Sequence, residues 1–194
     1  MRKLKIILAS GSPRRQQMMK LLKVPYNVVI SDYEEKNSEN DNPALTVKKH
    51  ARNKALDVIP RAGKGVIVGA DTIVYLDGKI IGKPKDINDA YRMLKKIQGR
   101  THVVYTGMAL YDTTTKNLVV DYIKTKVTIR NLSKKEISRY FELINPLDKA
   151  GAYAIQEAGS LIVEKISGCY YNVLGFPVSK LEDMLQTLNY SLFY

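Results

Sequence analysis

The chain has very little of the chemistry that sulfur and imidazole supply. Of its 194 residues one is a cysteine, Cys169, and two are histidines, His50 and His102. A single thiol excludes intramolecular disulfides and zinc sites built on several cysteines. The two histidines are too far apart in sequence for a helical zinc-binding pair. We therefore interpret Cys169 and His102 as structural side chains.

Long apolar runs, internal repeats and low-complexity segments are absent as well. No stretch reaches the length of a transmembrane helix. The apolar segment at the start is interrupted by Ser10 and Ser12 before it could form a secretory signal, so the cytoplasm is the expected location. No linker rich in proline, glycine and serine divides the chain. We therefore expect one folding unit over residues 1–194 and no membrane contact.

The motifs of several common phosphate-binding and hydrolytic sites are also missing. The segment 78–84 is one residue too short for a P-loop and has Pro84 where serine or threonine would hold magnesium. A glycine-rich dinucleotide fingerprint and the serine elbow of hydrolases do not occur. These absences leave a set of carboxylates and cations to carry chemistry.

Positive charge is abundant. Lysine and arginine number 31 against 19 aspartates and glutamates, so the formal net charge is +12. Such a charge favours acidic partners, among them nucleotides, nucleic acids and anionic surfaces. The excess is spread along the chain rather than gathered in one block, which favours small phosphate ligands over nucleic acid.

The hydrophobic pattern predicts an α/β protein with a mixed, twisted sheet and flanking helices. Strands and helices alternate early in the sequence, and hairpins dominate the middle. The predicted strands are 4–9, 26–30, 65–70, 73–76, 79–81, 101–111, 118–130, 152–155 and 161–166. The predicted helices are 13–22, 43–61, 86–98, 133–144 and 178–188.

The first strand passes into the first helix through residues 10–15, whose sequence is SGSPRR. Ser12 is a preferred N-cap, and Pro13 suits the first helical turn. The free amides of that turn, the two serine hydroxyls and the guanidinium groups of Arg14 and Arg15 together predict an anion site of the phosphate type. An ordinary capped helix with surface arginines is the alternative.

Carboxylates follow two of the predicted strands. Asp71 comes directly after strand 65–70, so we expect its side chain at the carboxyl edge of the sheet, where open α/β sheets bind ligands. There it could ligate a divalent metal, orient a water molecule or do both. Glu34 and Glu35, in the loop after the second strand, could supply a second carboxylate. The alternatives are a turn cap for Asp71 and solvated loop charges for the glutamates.

Two lysines and one amide complete the candidate site. Lys54 lies in an otherwise apolar helical stretch, which directs it inward, and Lys83 is held next to Pro84. With the anion site they predict a cradle for a polyphosphate, in which each lysine acts as a compact charge. Gln156 offers one donor and one acceptor that could read a base edge. Taken singly, each lysine is better explained as a solvated surface charge.

Six pieces of the sequence, in order and spread over nearly the whole chain, resemble the Maf family of nucleoside triphosphate pyrophosphatases. The pieces are SGSPRR at 10–15, GADT at 69–72, GKP at 82–84, GRTH at 99–102, DKAG at 148–151 with IQ at 155–156, and YNVLGFP at 171–177. One piece would be weak evidence, and six in order are highly specific. Leu174 and Phe176 replace the residues more usual around Gly175, and both replacements stay apolar.

The resemblance implies hydrolysis of a nucleoside triphosphate between the α and β phosphates with a divalent metal, Mg²⁺ or Mn²⁺. It implies a fold like that of inosine-triphosphate pyrophosphatases, with a cleft between two lobes. Asp71 would be the proton acceptor that activates water and, with Glu35, would bind the metal. The phosphate and metal site would also include Ser10, Arg15, Lys54 and Lys83. The positions that set base preference in the branch acting on dTTP and UTP are matched by Arg14, Thr72 and Gln156.

We therefore expect a pyrophosphatase for dTTP and UTP that also accepts modified pyrimidine nucleotides. A 7-methyl-GTP or broad-specificity pyrophosphatase is the alternative within the family. A division regulator that binds nucleic acid without hydrolysis is the alternative from another class, although the sequence shows no recognition helix or aromatic RNA-binding motif. The resemblance also suggests a homodimer, which nothing in the periodicity shows.

Overall fold

The computed structural model describes residues 3–193, which form a seven-stranded mixed sheet with helices on both faces. The strands are β1 Ile6–Leu8, β2 Tyr26–Val28, β3 Val66–Leu76, β4 Lys79–Ile81, β5 Thr101–Asp112, β6 Leu118–Ile129 and β7 Val163–Ser167. The helices are α1 Pro13–Leu21, α2 Pro43–Asp57, α3 Ile87–Ile97, α4 Lys134–Leu143, α5 Tyr170–Val173 and α6 Val178–Thr187. Short 3₁₀ turns cover Ile59–Arg61, Ala150–Ala152 and Glu157–Leu161.

The sheet order is β2-β1-β3-β5-β6-β7, and β4 pairs with β3 outside this path. β1 runs parallel to both β2 and β3, whereas β3, β5, β6 and β7 pair antiparallel in turn. The parallel part needs crossovers, which α1 and α2 provide, and the antiparallel part needs short turns. The predicted mixed α/β architecture is confirmed.

Asp71 does not follow the end of a strand, as the sequence pattern predicted, but lies in the middle of β3. β1 ends at Leu8, opposite Val68, whereas β5 pairs with β3 all the way from Val66 to Tyr75. The ladder with β5 therefore carries β3 past Asp71 to the turn at its far end. The relevant carboxyl end is that of β1. Because β1 ends at Leu8, the edge of β3 that pairs with β1 has no neighbour among the described strands at Asp71.

A second prediction that fails is the strand at 152–155. The backbone is left-handed at Gly151 (φ 72°) and at Ala152 (φ 60°), and residues Ala150–Ala152 form a 3₁₀ turn instead. A left-handed residue cannot continue a strand, because its backbone groups no longer point to a neighbouring strand. The alternating sequence pattern carries no signal for this turn.

Other local predictions are confirmed. The hairpin between β3 and β4 turns at Asp77 and Gly78, both with positive φ, as its two-residue turn requires. Helix α4 begins with the predicted capping box, in which Ser133 and Glu136 exchange hydrogen bonds with each other's backbone.

The apolar interior is divided between the two ends of the long strands. One cluster joins β1, the start of β3, α1 and α6; another joins the end of β3, β4, α3 and α4. Along β3, Asp71 and Thr72 lie between these two clusters. Two smaller apolar clusters include residues of α2. Within the described range, no helix has both the length and the apolar character needed to cross a bilayer.

Helix α2 lies unusually close to the sheet because two glycines face it. A Cβ on Gly69 would come within 2.2 Å of the Ala51 carbonyl oxygen, and one on Gly107 within 2.3 Å of the Val47 carbonyl oxygen. Any side chain at either position would push the helix away. The close approach brings Lys54, one turn after Ala51, within reach of Asp71.

Candidate active site

A cavity of about 810 Å³ opens where β1 ends. Its wall includes the start of α1, the loop after β2, α2, the middle of β3, the loop after β4 and two segments near the C-terminus. All the site residues predicted from the sequence line it: Ser10, Ser12, Arg14, Arg15, Glu35, Lys54, Asp71, Thr72, Lys83 and Gln156. The cavity therefore collects residues from widely separated parts of the chain.

The start of α1 lies in the cavity wall together with the buried guanidinium of Arg15. Ser12 occupies the N-cap position and Pro13 follows it, but the Ser12 hydroxyl makes no capping hydrogen bond within the described structure. Instead the Ser12 amide donates to Ser10 Oγ at 3.2 Å. The remaining first-turn amides face no capping side chain, which suits a bound anion.

Arg15 is buried and holds three parts of the wall together. Its Nη1 donates to Ser10 Oγ at 3.0 Å, its Nε to the Gly175 carbonyl at 2.9 Å, and its Nη2 to Thr72 Oγ1 at 3.3 Å. Burial lowers the pKa of the Arg15 guanidinium, and the charges of Asp71 and Glu35 only partly offset this. Three of its five N–H groups are used in this way, which leaves two for a ligand.

Lys54 lies between two carboxylates. Its ammonium is 2.8 Å from Asp71 Oδ1, pairs with Glu35 Oε1 and is 3.3 Å from the Ala70 carbonyl oxygen. The side chains of Lys54 and Asp71 are only 11% and 4% exposed, so this pair is shielded from solvent. A buried charge needs such partners, because an unpaired one would be costly to desolvate.

Of the two candidate glutamates, Glu35 is the one that reaches the site. Glu34 pairs with Lys36 at 4.0 Å, and both of these side chains are more than 80% exposed. Burial raises the pKa of Glu35, but the ammonium groups of Lys54 and Lys83 together with His50 outweigh this, so the net shift is downward. Glu35 is therefore held as a carboxylate in the cavity.

The segment 148–157 forms another part of the wall. Inside it Lys149 pairs with Asp148 at 2.9 Å and with Glu157 at 3.9 Å, and uncharged groups attach the segment to other elements. The Tyr140 hydroxyl binds both the carbonyl and the amide of Ala154, at 3.2 and 3.1 Å. The Tyr153 hydroxyl lies 2.8 Å from His102 Nε2. The Gly151 amide donates to the Gly82 carbonyl at 3.0 Å and so links this segment to the loop of the exposed Lys83. Gln156 faces the cavity from this segment.

A family model described as Maf-like protein matches residues 5–188. The chain belongs to the Maf family. It is 45% identical to a dTTP/UTP pyrophosphatase of Dictyoglomus thermophilum, over 98% of this chain and 99% of that protein. It is 48% identical to a dTTP/UTP pyrophosphatase of Caldanaerobacter subterraneus, over 94% and 88% of the two chains.

The predicted fold likeness is confirmed by a solved structure. The Ham1 protein of Staphylococcus aureus superposes with a TM-score of 0.56 at 15% identity, over 95% of this chain and 99% of that one. At this identity the match shows a shared architecture and no shared activity.

Sequence reasoning missed the residues that support Thr72, the partner of Arg15, in this Maf site. Thr72 Oγ1 is 2.9 Å from Thr106 Oγ1, and Thr106 Oγ1 donates to the Asn172 carbonyl at 3.0 Å. The Asn172 side chain donates in turn to Thr125 Oγ1 at 2.9 Å. Asn172 belongs to the piece YNVLGFP, so the resemblance pointed to its position without giving it a role.

The oxygen donors of the Maf site suit a hard divalent cation. Asp71 Oδ2 is buried and has no hydrogen-bond partner within residues 3–193. In that same range, no three His, Cys, Asp or Glu side chains are grouped closely enough to enclose a metal. Two carboxylates with substrate phosphates completing the shell is the usual arrangement for Mg²⁺. Asp71 and Glu35 thus fit a metal that is held jointly by protein and nucleotide.

Proposed function

We propose that this chain is a dTTP/UTP pyrophosphatase, which hydrolyses dTTP and UTP to the monophosphate and pyrophosphate. Maf relatives at 45 and 48% identity carry that name. The observation that carries the proposal is that one cavity joins a cationic helix start, a carboxylate–lysine cluster and an amide side chain. These are the groups needed to bind phosphates, activate water and recognise a base.

The phosphates would bind at the start of α1. First-turn amides, the Ser10 and Ser12 hydroxyls and the two free N–H groups of Arg15 provide donors for phosphate oxygens. Lys83, exposed on its loop, is free to follow the leaving pyrophosphate. Such preorganised positive charge is the main source of catalysis in phosphoryl transfer.

Asp71 would accept the proton of the attacking water. Lys54 occupies Oδ1, so Oδ2 remains as the oxygen that can receive a proton. The water oxygen forms a bond to the α phosphorus, and the bond from this phosphorus to the bridging oxygen breaks. Pyrophosphate leaves with the electron pair, and no covalent enzyme intermediate is needed.

We further propose that Asp71 and Glu35 hold a divalent cation, Mg²⁺ or Mn²⁺. The support is the unpartnered Asp71 Oδ2 and the downward pKa shift of Glu35, which keeps its carboxylate ionised. When bound, the cation would offset negative charge on the triphosphate. Lys54 would then balance the two carboxylates on the protein side.

Base recognition would rest on Gln156 and Arg14. The Gln156 amide can match the alternating acceptor and donor edge of uracil or thymine. Thr72 is bound to Arg15 and Thr106 through its hydroxyl, so we assign it an influence on the substrate through Arg15.

A nucleotide panel scored by pyrophosphate release tests the function. We expect Mg²⁺- or Mn²⁺-dependent release from dTTP and UTP, abolished by EDTA. Faster turnover of 7-methyl-GTP than of dTTP and UTP would support the alternative branch of the family. Absence of release from every nucleotide, with tight and steeply salt-dependent binding to DNA or RNA, would support the nucleic-acid alternative.

The homodimer suggested by the resemblance remains a prediction. Sedimentation velocity over a range of protein concentrations measures it directly. A monomer at all concentrations, with full activity, would remove dimerisation from the proposed function.

A further inference from the structure

The loop that carries Glu35 is attached to helix α2 by a histidine outside the cavity wall. His50 is 1% exposed and lies one helical turn before Lys54. Its Nδ1 is 2.9 Å from the Tyr33 hydroxyl, and its Nε2 binds Asn37 Oδ1. Tyr33 and Asn37 lie two residues before and two residues after Glu35. One imidazole ring therefore binds the loop on both sides of Glu35.

Each ring nitrogen of His50 has a polar partner on the loop. Asn37 Oδ1 can only accept, so Nε2 of His50 donates to it. Nδ1 faces the Tyr33 hydroxyl, which can donate as well as accept. The Tyr33 ring also packs against the imidazole, with 5.6 Å between centroids. The imidazole satisfies both partners at once, which no aliphatic side chain can do.

Helix α2 holds the beginning of the same loop through a different residue. Asp57 accepts hydrogen bonds from the Ser31 hydroxyl at 3.0 Å and from the Asp32 amide at 2.9 Å. Between these anchors and the N-cap of α2, the Glu35 carboxylate is still 42% exposed. Its ion pair with the buried Lys54 restrains the carboxylate itself. The two bonds of His50 restrain Tyr33 and Asn37 on either side of Glu35, and so limit where the Glu35 side chain can point.

We propose that His50 is a positioning residue for Glu35. It fixes the loop so that the Glu35 carboxylate meets Lys54 and faces Asp71, without touching the nucleotide itself. The inference rests on the proposed function only where Glu35 takes part in hydrolysis. Substitutions behind a ligand carboxylate typically cost 10- to 100-fold in metal affinity or activity.

Trypsin cleavage after Lys36 tests whether His50 restrains this loop, without any activity measurement. Lys36 is exposed and lies between the two residues that the ring holds. We expect His50→Leu to be cut there about 10-fold faster than the unmodified chain, and His50→Gln, which keeps a donor for Asn37, to restore much of the resistance. Leu185→Ala, in the core under α6, is the control for general destabilisation. Equal rates of cleavage after Lys36 in His50→Leu and in the Leu185→Ala control would contradict the proposal that His50 restrains the loop.

A double-variant cycle tests the action through Glu35. We expect His50→Leu to lower kcat/KM for dTTP about 10-fold, and to cause no further loss in a Glu35→Gln background. Mn²⁺ affinity, measured by electron paramagnetic resonance, should follow the same pattern. A full additional loss in the Glu35→Gln background would show that His50 does not act through Glu35. If the unmodified chain hydrolysed no nucleotide, the proposed function would fail, and the cleavage result would still decide the role of His50.

Discussion

Two parts of the cavity wall are built by different physical means. The charged wall, formed by Arg15, Glu35, Lys54 and Asp71, is largely carried by α1, α2 and β3 and held by ion pairs and charged hydrogen bonds. The segment 148–157 has no long helix or strand. Its ion pairs join Lys149 to Asp148 and Glu157 inside the segment, and buried tyrosine and histidine side chains attach it to other elements through uncharged hydrogen bonds.

The difference matches the work that each part is proposed to do. Negative charge developing on phosphates is stabilised best by cations that cannot move, and regular elements supply this rigidity. Base recognition is assigned to Gln156, which follows the left-handed turn at Gly151 and Ala152. We therefore expect changes in the charged wall to affect all nucleotides alike and changes in segment 148–157 to affect their ranking.

The largest effect is expected for Asp71→Asn. The amide oxygen still accepts from Lys54, but the side chain cannot take a proton, so turnover should fall by a factor of about 10² to 10⁴ for every nucleotide. Pyrophosphate release measures the rate, and a thermal melt checks that the fold is retained.

The same variant separates the two roles proposed for Asp71. With its one oxygen on Lys54, asparagine places an NH2 group where Oδ2 was, so retained Mn²⁺ binding with lost turnover would identify Oδ2 as the base and not as a metal ligand. Loss of both would identify it as a ligand first. Full activity would remove Asp71 from the mechanism.

The charged wall could be predicted in large part from the sequence, because its signals are local. Pro13 after a serine, lysine in an apolar helical stretch and aspartate after a buried run each report their own surroundings. Residue patterns alone left Glu34 and Glu35 equivalent, and only the family resemblance favoured Glu35, because the choice depends on the tertiary position of Lys54. The extent of β3 could not either, because it is set by pairing with β5, a strand distant in sequence.

The segment 148–157 was predicted poorly for the opposite reason. Its shape depends on Tyr140 and His102, which lie elsewhere in the chain, and on positive φ angles at residues other than glycine. The support of Arg15 by Thr106 and Asn172 likewise spans more than 90 residues of sequence. Such long-range contacts produce no periodic pattern in the sequence.

The second prediction concerns acid and the segment 148–157. Burial lowers the pKa of His102 from 6.5 to about 4, so the unfolded chain binds the proton first as the pH falls. The contribution of His102 to the free energy of unfolding is therefore fully present above pH 6.5. It is lost as the pH falls from about 6.5 to about 4, and the total loss is about 3 kcal/mol. Denaturant unfolding at several pH values measures it.

His102→Gln provides the comparison for that measurement. Glutamine can keep a bond to the Tyr153 hydroxyl but does not titrate, so its loss of stability between pH 7 and 4 should be smaller by about 3 kcal/mol. Carboxylates elsewhere titrate equally in both proteins and cancel. An identical pH dependence in the two proteins would show that folding does not change the pKa of His102.

The smallest effect, and the most selective, is expected for Gln156→Ala. Loss of the amide should change the ratio of kcat/KM between UTP and a purine nucleotide by about tenfold, because a recognition bond of this kind contributes about 1 to 1.5 kcal/mol. The maximal rate should change much less, since Asp71 and Lys54 are untouched. Lys83→Ala, which removes a cation proposed to bind the phosphates, is the matched variant outside segment 148–157: it should slow all nucleotides alike and leave their ranking as it was. If Gln156→Ala instead lowered every rate equally, segment 148–157 would belong with the charged wall, and the division between the two would not hold.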